Sequence, residues 1–215
     1  MRTSSLWGRP PTRFYSLLRQ VKASTIPPRS LNIAILGCSD GKFVLPAARK
    51  GHRVLAVDMD KVALLGGTKA GPQGPVRMAG LRKRTEIEAV GSNVTIICAD
   101  FVSLRPHSIF DLTFSSGAIQ YSYNLRHDIR TIVDGIQAYV RQGGFIYLDY
   151  MHPITVDQAA RQSFLTKQAV DAFFPSTHWT ILFHRLMAAA TERGHVDNPR
   201  DHLHRWGHIL VRRIR

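Results

Sequence analysis

Asn32-Ile33-Ala34-Ile35-Leu36-Gly37-Cys38-Ser39-Asp40-Gly41, followed by Arg53-Val54-Leu55-Ala56-Val57-Asp58, decides the fold. Asn32 to Leu36 is a short apolar run that meets Gly37 directly, which reads as a buried strand entering a turn. Phe43 to Lys50 has helical character up to Gly51, and Arg53 to Val57 is a second buried strand that stops on Asp58. Strand, turn, helix and strand within about thirty residues form a βαβ unit, whose two strands pair in parallel.

Towards the C-terminus the same alternation continues. Lys61 to Leu65 opens a helix, and Gly66 to Gly80, which contains Gly71-Pro72-Gln73-Gly74-Pro75, reads as a surface loop before helix resumes over Leu81 to Val90. Val94 to Ala99, ending on Asp100, and Phe110 to Ser115 are the third and fourth strands. Ile129, Ile132, Val133, Ile136 and Val140 fall on one helical face, which Gly143-Gly144 terminates before a fifth strand, Phe145 to Tyr150. Thr155 with Gln158 is a capping-box signature, and a helix from about Lys167 to Phe174 stops at Pro175. Trp179 to Leu186 and His208 to Ile214 read as closing strands. The expected class is α/β: a Rossmann-like, doubly wound, mostly parallel sheet with ligands at the carboxyl ends of its strands.

Towards the N-terminus the composition changes. Met1 to Ser39 holds no Asp or Glu, while Arg2, Arg9, Arg13, Arg19, Lys22 and Arg29 alternate with Ser and Thr, as in a transit peptide. Phe14, Leu17, Leu18 and Val21 recur at helical spacing and form one apolar face suited to an import receptor. Pro27 and Pro28 end that helix. Residues 1–30 therefore read as a basic leader addressed to the mitochondrial matrix, and residues 31–215 as one domain. The other reading of the leader is a basic arm that stays attached and touches RNA.

The chain of 215 residues is 44% hydrophobic and 20% charged, with no apolar run near the roughly 18 residues of a membrane span. Its 29 Lys and Arg against 15 Asp and Glu give a net charge of +14, which favours polyanions and makes RNA or a ribonucleoprotein the natural partner class. A cationic leader and a GC-rich genome would both raise the Arg content without any nucleic acid. Cys38 and Cys98 offer neither metal nor disulfide spacing, in keeping with a reduced compartment.

Three features meet at strand ends. Gly37-Cys38-Ser39-Asp40-Gly41 follows strand one, where glycines let backbone amides approach a ligand. Asp58 closes strand two, where a carboxylate accepts both hydroxyls of a ribose. Asp100 closes strand three, within reach of an adenine edge. Together they point to an adenosine-containing ligand. The spacing of Gly37 and Gly41 does not meet the dinucleotide fingerprint, which disfavours an oxidoreductase.

On these residues, positions 31 to 150 resemble the class I S-adenosylmethionine (SAM) dependent methyltransferase core. Asp58 and Asp100 match its acidic residues after strands two and three. Phe110-Asp111-Leu112-Thr113-Phe114-Ser115-Ser116-Gly117 matches the wording of its fourth strand, and Gly143-Gly144 matches its turn into strand five. Beyond the core, Phe164-Leu165-Thr166 through Phe173-Phe174-Pro175 and the ending His202-Leu203-His204-Arg205 resemble the tellurite-resistance type branch. The resemblance implies a seven-stranded sheet and SAM as cofactor, held by Gly37, Cys38, Ser39, Gly41, Asp58, Met59, Asp100, Phe101 and Ser115. Two positions depart from the family pattern. Ile35 stands where an acidic residue usually binds the methionine amino end, and Ser39 replaces the middle glycine. Asp40 offers a replacement carboxylate.

Methyl transfer from a sulfonium is an in-line displacement that needs alignment and exclusion of water. The acceptor side falls to Ser115, Ser116, Gln120, Tyr121 and Tyr123 after strand four, and to Asp149, Tyr150 and His152 after strand five. Among these, Tyr121 or His152 orients an acceptor or takes a proton. The motif of adenine-N6 methylation is absent from Ser115 to Ala118, and neither cysteine is placed for cytosine-C5 chemistry. His202, His204, Trp206 and His208 alternate, so a strand puts all four on one side. With no carboxylate or thiolate at ligand spacing, they read as a surface or pocket-rim strand and no metal site is assigned. Arg82-Lys83-Arg84 and Arg212-Arg213-Arg215 are surface clusters available to phosphates. The leading expectation is a mitochondrial methyltransferase whose acceptor, a small molecule included, the sequence leaves open. The other is a catalytically degenerate relative that binds RNA or a mitochondrial ribosome-assembly particle.

Overall fold

The apolar runs pair as their alternation with helices requires. The computed structural model describes residues 3–25, 29–71, 74–104, 106–119, 127–161, 163–194 and 200–215. The strands are β1 (Asn32–Leu36), β2 (Arg53–Asp58), β3 (Gly67–Lys69), β4 (Val76–Met78), β5 (Val94–Cys98), β6 (Phe110–Ser115), β7 (Val140–His152), β8 (Trp179–Leu186), β9 (Ala190–Glu192) and β10 (His202–Arg213). The helices are α1 (Thr12–Ala23), α2 (Val44–Arg49), α3 (Lys61–Leu65), α4 (Gly80–Ile87), α5 (Ile129–Gln137), α6 (Val156–Ala159) and α7 (Lys167–Asp171). The main sheet runs β5-β2-β1-β6-β7-β10-β8, with β9 added beside β10. β5, β2, β1, β6 and β7 are parallel, and β10 is antiparallel to both of its long neighbours. The order reverses between β1 and β6, and such a switch point opens a crevice at the carboxyl ends of the strands.

Alternation along the strands divides the core between two faces. Ile33, Ile35, Phe114, Phe145, Tyr147 and Leu210 face α1, α2 and α4. Ala34, Leu36, Ile146, Leu148, Tyr150 and Ile209 face α5 and α7. Thr155 caps α6 through Gln158 N at 3.2 Å, as its signature predicts.

Several boundaries differ from the sequence reading. The helix proposed as a leader is part of the domain: Phe14, Leu17, Leu18 and Val21 of α1 are between 0% and 5% exposed and belong to the core. Burial of each is worth roughly 1.5–3 kcal/mol, so the apolar face finds its partner within this chain. Arg29 is likewise tied in, donating to the buried Asp111 at 2.9 Å, as Arg141 does at 2.8 Å and Asn32 N at 2.8 Å. Pro27 and Pro28 lie outside the described residues.

The stretch read as one loop contains the β3–β4 hairpin, whose strands of three residues are too short to leave a periodic signal. Val140 belongs to β7 rather than to the preceding helix, and Gly143-Gly144 sits inside that strand. The register against β6 shifts there, and a Cβ on Gly144 would stand 2.9 Å from Phe110 O, so the glycines form a bulge.

Candidate active site

The loop after β1 and the loop after β6 meet at the switch point. Gly37 N and Cys38 N donate to Val57 O at 2.9 and 3.1 Å, folding the loop back over the end of β2. Gly37 and Gly41 have φ of +69° and +89°, which only glycine adopts freely. A Cβ on Gly37 would lie 2.6 Å from Ala118 Cβ, and one on Gly41 2.4 Å from Leu81 Cδ1. Here the glycines serve close packing of protein on protein. Ser39 adopts φ +46° despite its side chain.

Asp58 is the hub of this loop. Its Oδ2 accepts Ser39 N at 2.7 Å and its Oδ1 accepts Asp60 N at 2.8 Å. Each oxygen retains a lone pair, so the carboxylate can still accept two ribose hydroxyls. Burial pushes this carboxyl up, and the two backbone N–H groups oppose that. Met59 beside it is exposed. Asp100 accepts Val102 N at 2.9 Å and faces His127 Nε2 at 2.9 Å. Phe101 is buried in the core, with its carbonyl accepting the Tyr139 hydroxyl. Cys38 is buried, and burial pushes its thiol up. Ser115 is buried too; its hydroxyl donates to Leu36 O at 3.1 Å and pins β6 to β1.

The methionine end differs from what the sequence offered. Asp40 is 1% exposed, and its two oxygens accept Ser5 Oγ and Leu6 N, both at 2.6 Å. Arg84 approaches it at 3.6 Å and also donates to its carbonyl. Asp40 therefore fastens the N-terminal segment and is no replacement carboxylate. Trp7 Nε1 donates to Ser39 Oγ at 2.8 Å, so the same segment crosses the glycine loop. Ile35 is buried on the α1 face, opposite Phe114 in register and in the same apolar cluster as Phe14. Arg84 is also not the surface cation expected of Arg82-Lys83-Arg84.

On the other side of the crevice, Asp149 follows Leu148, the last residue of β7 that pairs with β6. Ser116 Oγ donates to it at 2.6 Å and Gly117 N at 2.7 Å. Burial raises its carboxyl to about 6, against the pull of these donors and of the Arg13 and Lys42 charges. Burial in turn pushes the Lys42 ammonium down. Two residues back on the same face, Tyr147 OH meets His208 Nδ1 at 2.9 Å. Burial, then the Arg13 charge, lowers His208 to about 4, so the ring is neutral at pH 7. Pro11, Arg13 and Phe14 close a small cavity over Phe43, Phe114, Tyr147 and Asp149.

Tyr121, with Gln120 and Tyr123, lies outside the described residues. His152 Nδ1 meets Pro153 O at 2.8 Å, and alternation puts its side chain on the opposite face from Asp149. Tyr150 also faces away, bonding His184 Nε2 at 2.6 Å, which in turn meets Asp171 at 2.6 Å. Sequence reasoning named Asp149 and Ser116 but missed Tyr147 and Arg13. Tyr147 alternates with Asp149 and was legible on that ground, whereas nothing local marks Arg13.

A family model described as a methyltransferase domain matches residues 35–148. No curated protein sequence matches the chain significantly. Among solved structures, TehB from Haemophilus influenzae superposes with a TM-score of 0.65 at 14% identity, over 92% of this chain and 61% of that one. The 1,6-didemethyltoxoflavin-N1-methyltransferase of Burkholderia thailandensis, crystallised with bound 1,6-didemethyltoxoflavin and S-adenosylhomocysteine, gives 0.61 at 15% identity, over 95% and 78%. Magnesium protoporphyrin IX methyltransferase from Synechocystis PCC 6803, with bound SAM, gives 0.61 at 13%, over 94% and 78%. At these identities the likeness is one of fold.

Proposed function

We infer the chemistry from the family: the chain belongs to the methyltransferase-domain family, and its crevice is read as the site of a class I SAM-dependent methyltransferase acting on a small-molecule acceptor. Asp58 and Asp100 are read as the cofactor's ribose and adenine contacts: Asp58 accepts one backbone N–H at each oxygen and keeps lone pairs for hydroxyls, and Asp100 follows β5 at the same end of the sheet. At the methionine end the loop Gly37 to Gly41 forms the wall, with Ser39 and Asp40 engaged by residues 5–7. When bound, SAM supplies an electrophilic methyl group on a sulfonium.

The observation that carries the acceptor reading is Asp149. A carboxyl raised to about 6 is mostly ionised at pH 7 yet far more basic than an exposed aspartate, which suits a group that takes a proton from an acceptor. Ser116 and Gly117 fix its orientation beside the carboxyl end of β6. Phe14, Phe43, Phe114 and α1 keep bulk water from its protein side. Titration of the full chain with S-adenosylhomocysteine by calorimetry tests the cofactor reading: saturable binding, weakened at least tenfold by Asp58→Ala, supports it. No heat at millimolar ligand overturns it.

For location we propose the mitochondrial matrix, on the acid-free leader. Because α1 completes the core, the address would be read before folding and residues 5–23 would stay attached. A reporter carrying residues 1–28 that remains in the cytosol refutes the address. The net charge of +14 supports a second reading, an RNA partner. Full-length protein that fails to retain RNA at low salt removes it.

A further inference from the structure

The pairing of β9 with β10 brings together three side chains that the sequence holds apart. Register pairs His202 with Glu192, and alternation along β10 puts His204 on the same face as His202. One donor atom from each of Glu192, His202 and His204 lies within 4.8 Å of the other two. Glu192 Oε2 is 2.7 Å from His204 Nε2 and 3.9 Å from His202 Nε2. The two imidazoles sit edge to face, with centroids 5.0 Å apart.

A tetrahedral zinc ion with bonds of about 2.0–2.1 Å holds its donors roughly 3.3–3.5 Å apart. The two separations from Glu192 bracket that value, so an ion enters after shifts of about 0.4–0.8 Å. The His204 side chain is 4% exposed and that of His202 21%, which holds both rings in place, while Glu192 at 41% leaves an approach from solvent. The same face of β10 continues through Trp206 to His208, whose Cα partner is Asp149. The Glu192 charge is also felt at Lys42, as is that of Asp149. The cluster therefore stands on the acceptor side of the sheet.

We propose that Glu192, His202 and His204 form a binding site for a divalent transition ion of the zinc class. Two imidazole nitrogens and one carboxylate oxygen suit borderline-soft ions and leave a coordination position open to water or another oxygen donor. The ion ties β9 to β10 and replaces the present contact between His204 and Glu192. This assignment is independent of the methyltransferase reading, because it needs neither SAM nor an acceptor.

The test uses tag-free, chelator-treated, full-length protein titrated with Zn²⁺ by calorimetry, with Co²⁺ absorption reporting the ligand field. One Zn²⁺ per chain is expected, together with a rise in melting temperature. Glu192→Gln and His202→Gln, the two more exposed positions, should each weaken binding at least tenfold while circular dichroism stays unchanged. His178→Gln, at an exposed histidine elsewhere, should leave it unchanged. Wild-type protein that takes up no stoichiometric Zn²⁺ overturns the assignment, as does wild-type affinity in either Glu192→Gln or His202→Gln.

Discussion

Replacing Phe14 by Ala separates a leader from a structural helix. Phe14 is 2% exposed, and its ring packs against Phe43 at 5.0 Å, Phe114 at 5.2 Å and Tyr15 at 5.7 Å between centroids. Removing a buried phenylalanine costs about 3–5 kcal/mol through lost transfer energy and the cavity left behind. In a chain of this length each kcal/mol moves the melting temperature by about 2–4 °C, so the variant should melt about 6–20 °C lower. Arg19→Ala on the exposed face of α1 is the control, with a change of at most about 0.5 kcal/mol. Thermal unfolding followed by circular dichroism measures both. If Phe14→Ala melts within about 2 °C of the wild type, α1 is not docked and the leader is a separable segment after all.

Asp58→Ala should also lower stability, by about 1–3 kcal/mol, since Ser39 N and Asp60 N lose their acceptor; urea unfolding reads this apart from ligand affinity. For Asp149 the folded-state value of about 6 lies above the ordinary 3.8, so the folded chain holds the proton more tightly and stability from this group falls as pH rises from about 4 to 6. Asp149→Asn should remove that slope, worth about 3 kcal/mol across the window, and denaturant titrations at pH 4.5 and 7 compare the two. His208 runs the other way: lowered to about 4, it contributes stability above pH 6.5 that is lost as pH falls towards 4, and His208→Leu should flatten that acid limb. Gly207→Ala would put a Cβ 2.2 Å from the buried Tyr150 ring and should cost about 1–3 kcal/mol, read as a lower urea midpoint.

Much of the frame was legible because it is written in local patterns. The apolar runs at residues 32–36, 53–57, 94–98 and 110–115 read as strands, and their alternation with helices points to parallel pairing. Asp58 and Asp100 stood out because a carboxylate that follows a parallel strand stands at the open end of the sheet. The helix at residues 12–23 was equally plain, with its apolar face at the right spacing. What covers that face was not. Hydrophobic burial is non-directional, and an amphipathic helix reads the same whether a receptor or its own domain receives it. The inward turn of Arg84 onto Asp40, and the burial that raises Asp149, likewise depend on packing between segments far apart in sequence. The histidines of β10 show the division most plainly. Alternation put His202 and His204 on one side, but their carboxylate, Glu192, comes from another strand. Side-chain periodicity is a property of one segment and the sequence carries it, whereas a cross-strand partner is fixed by register across a closed loop, which only the folded sheet decides.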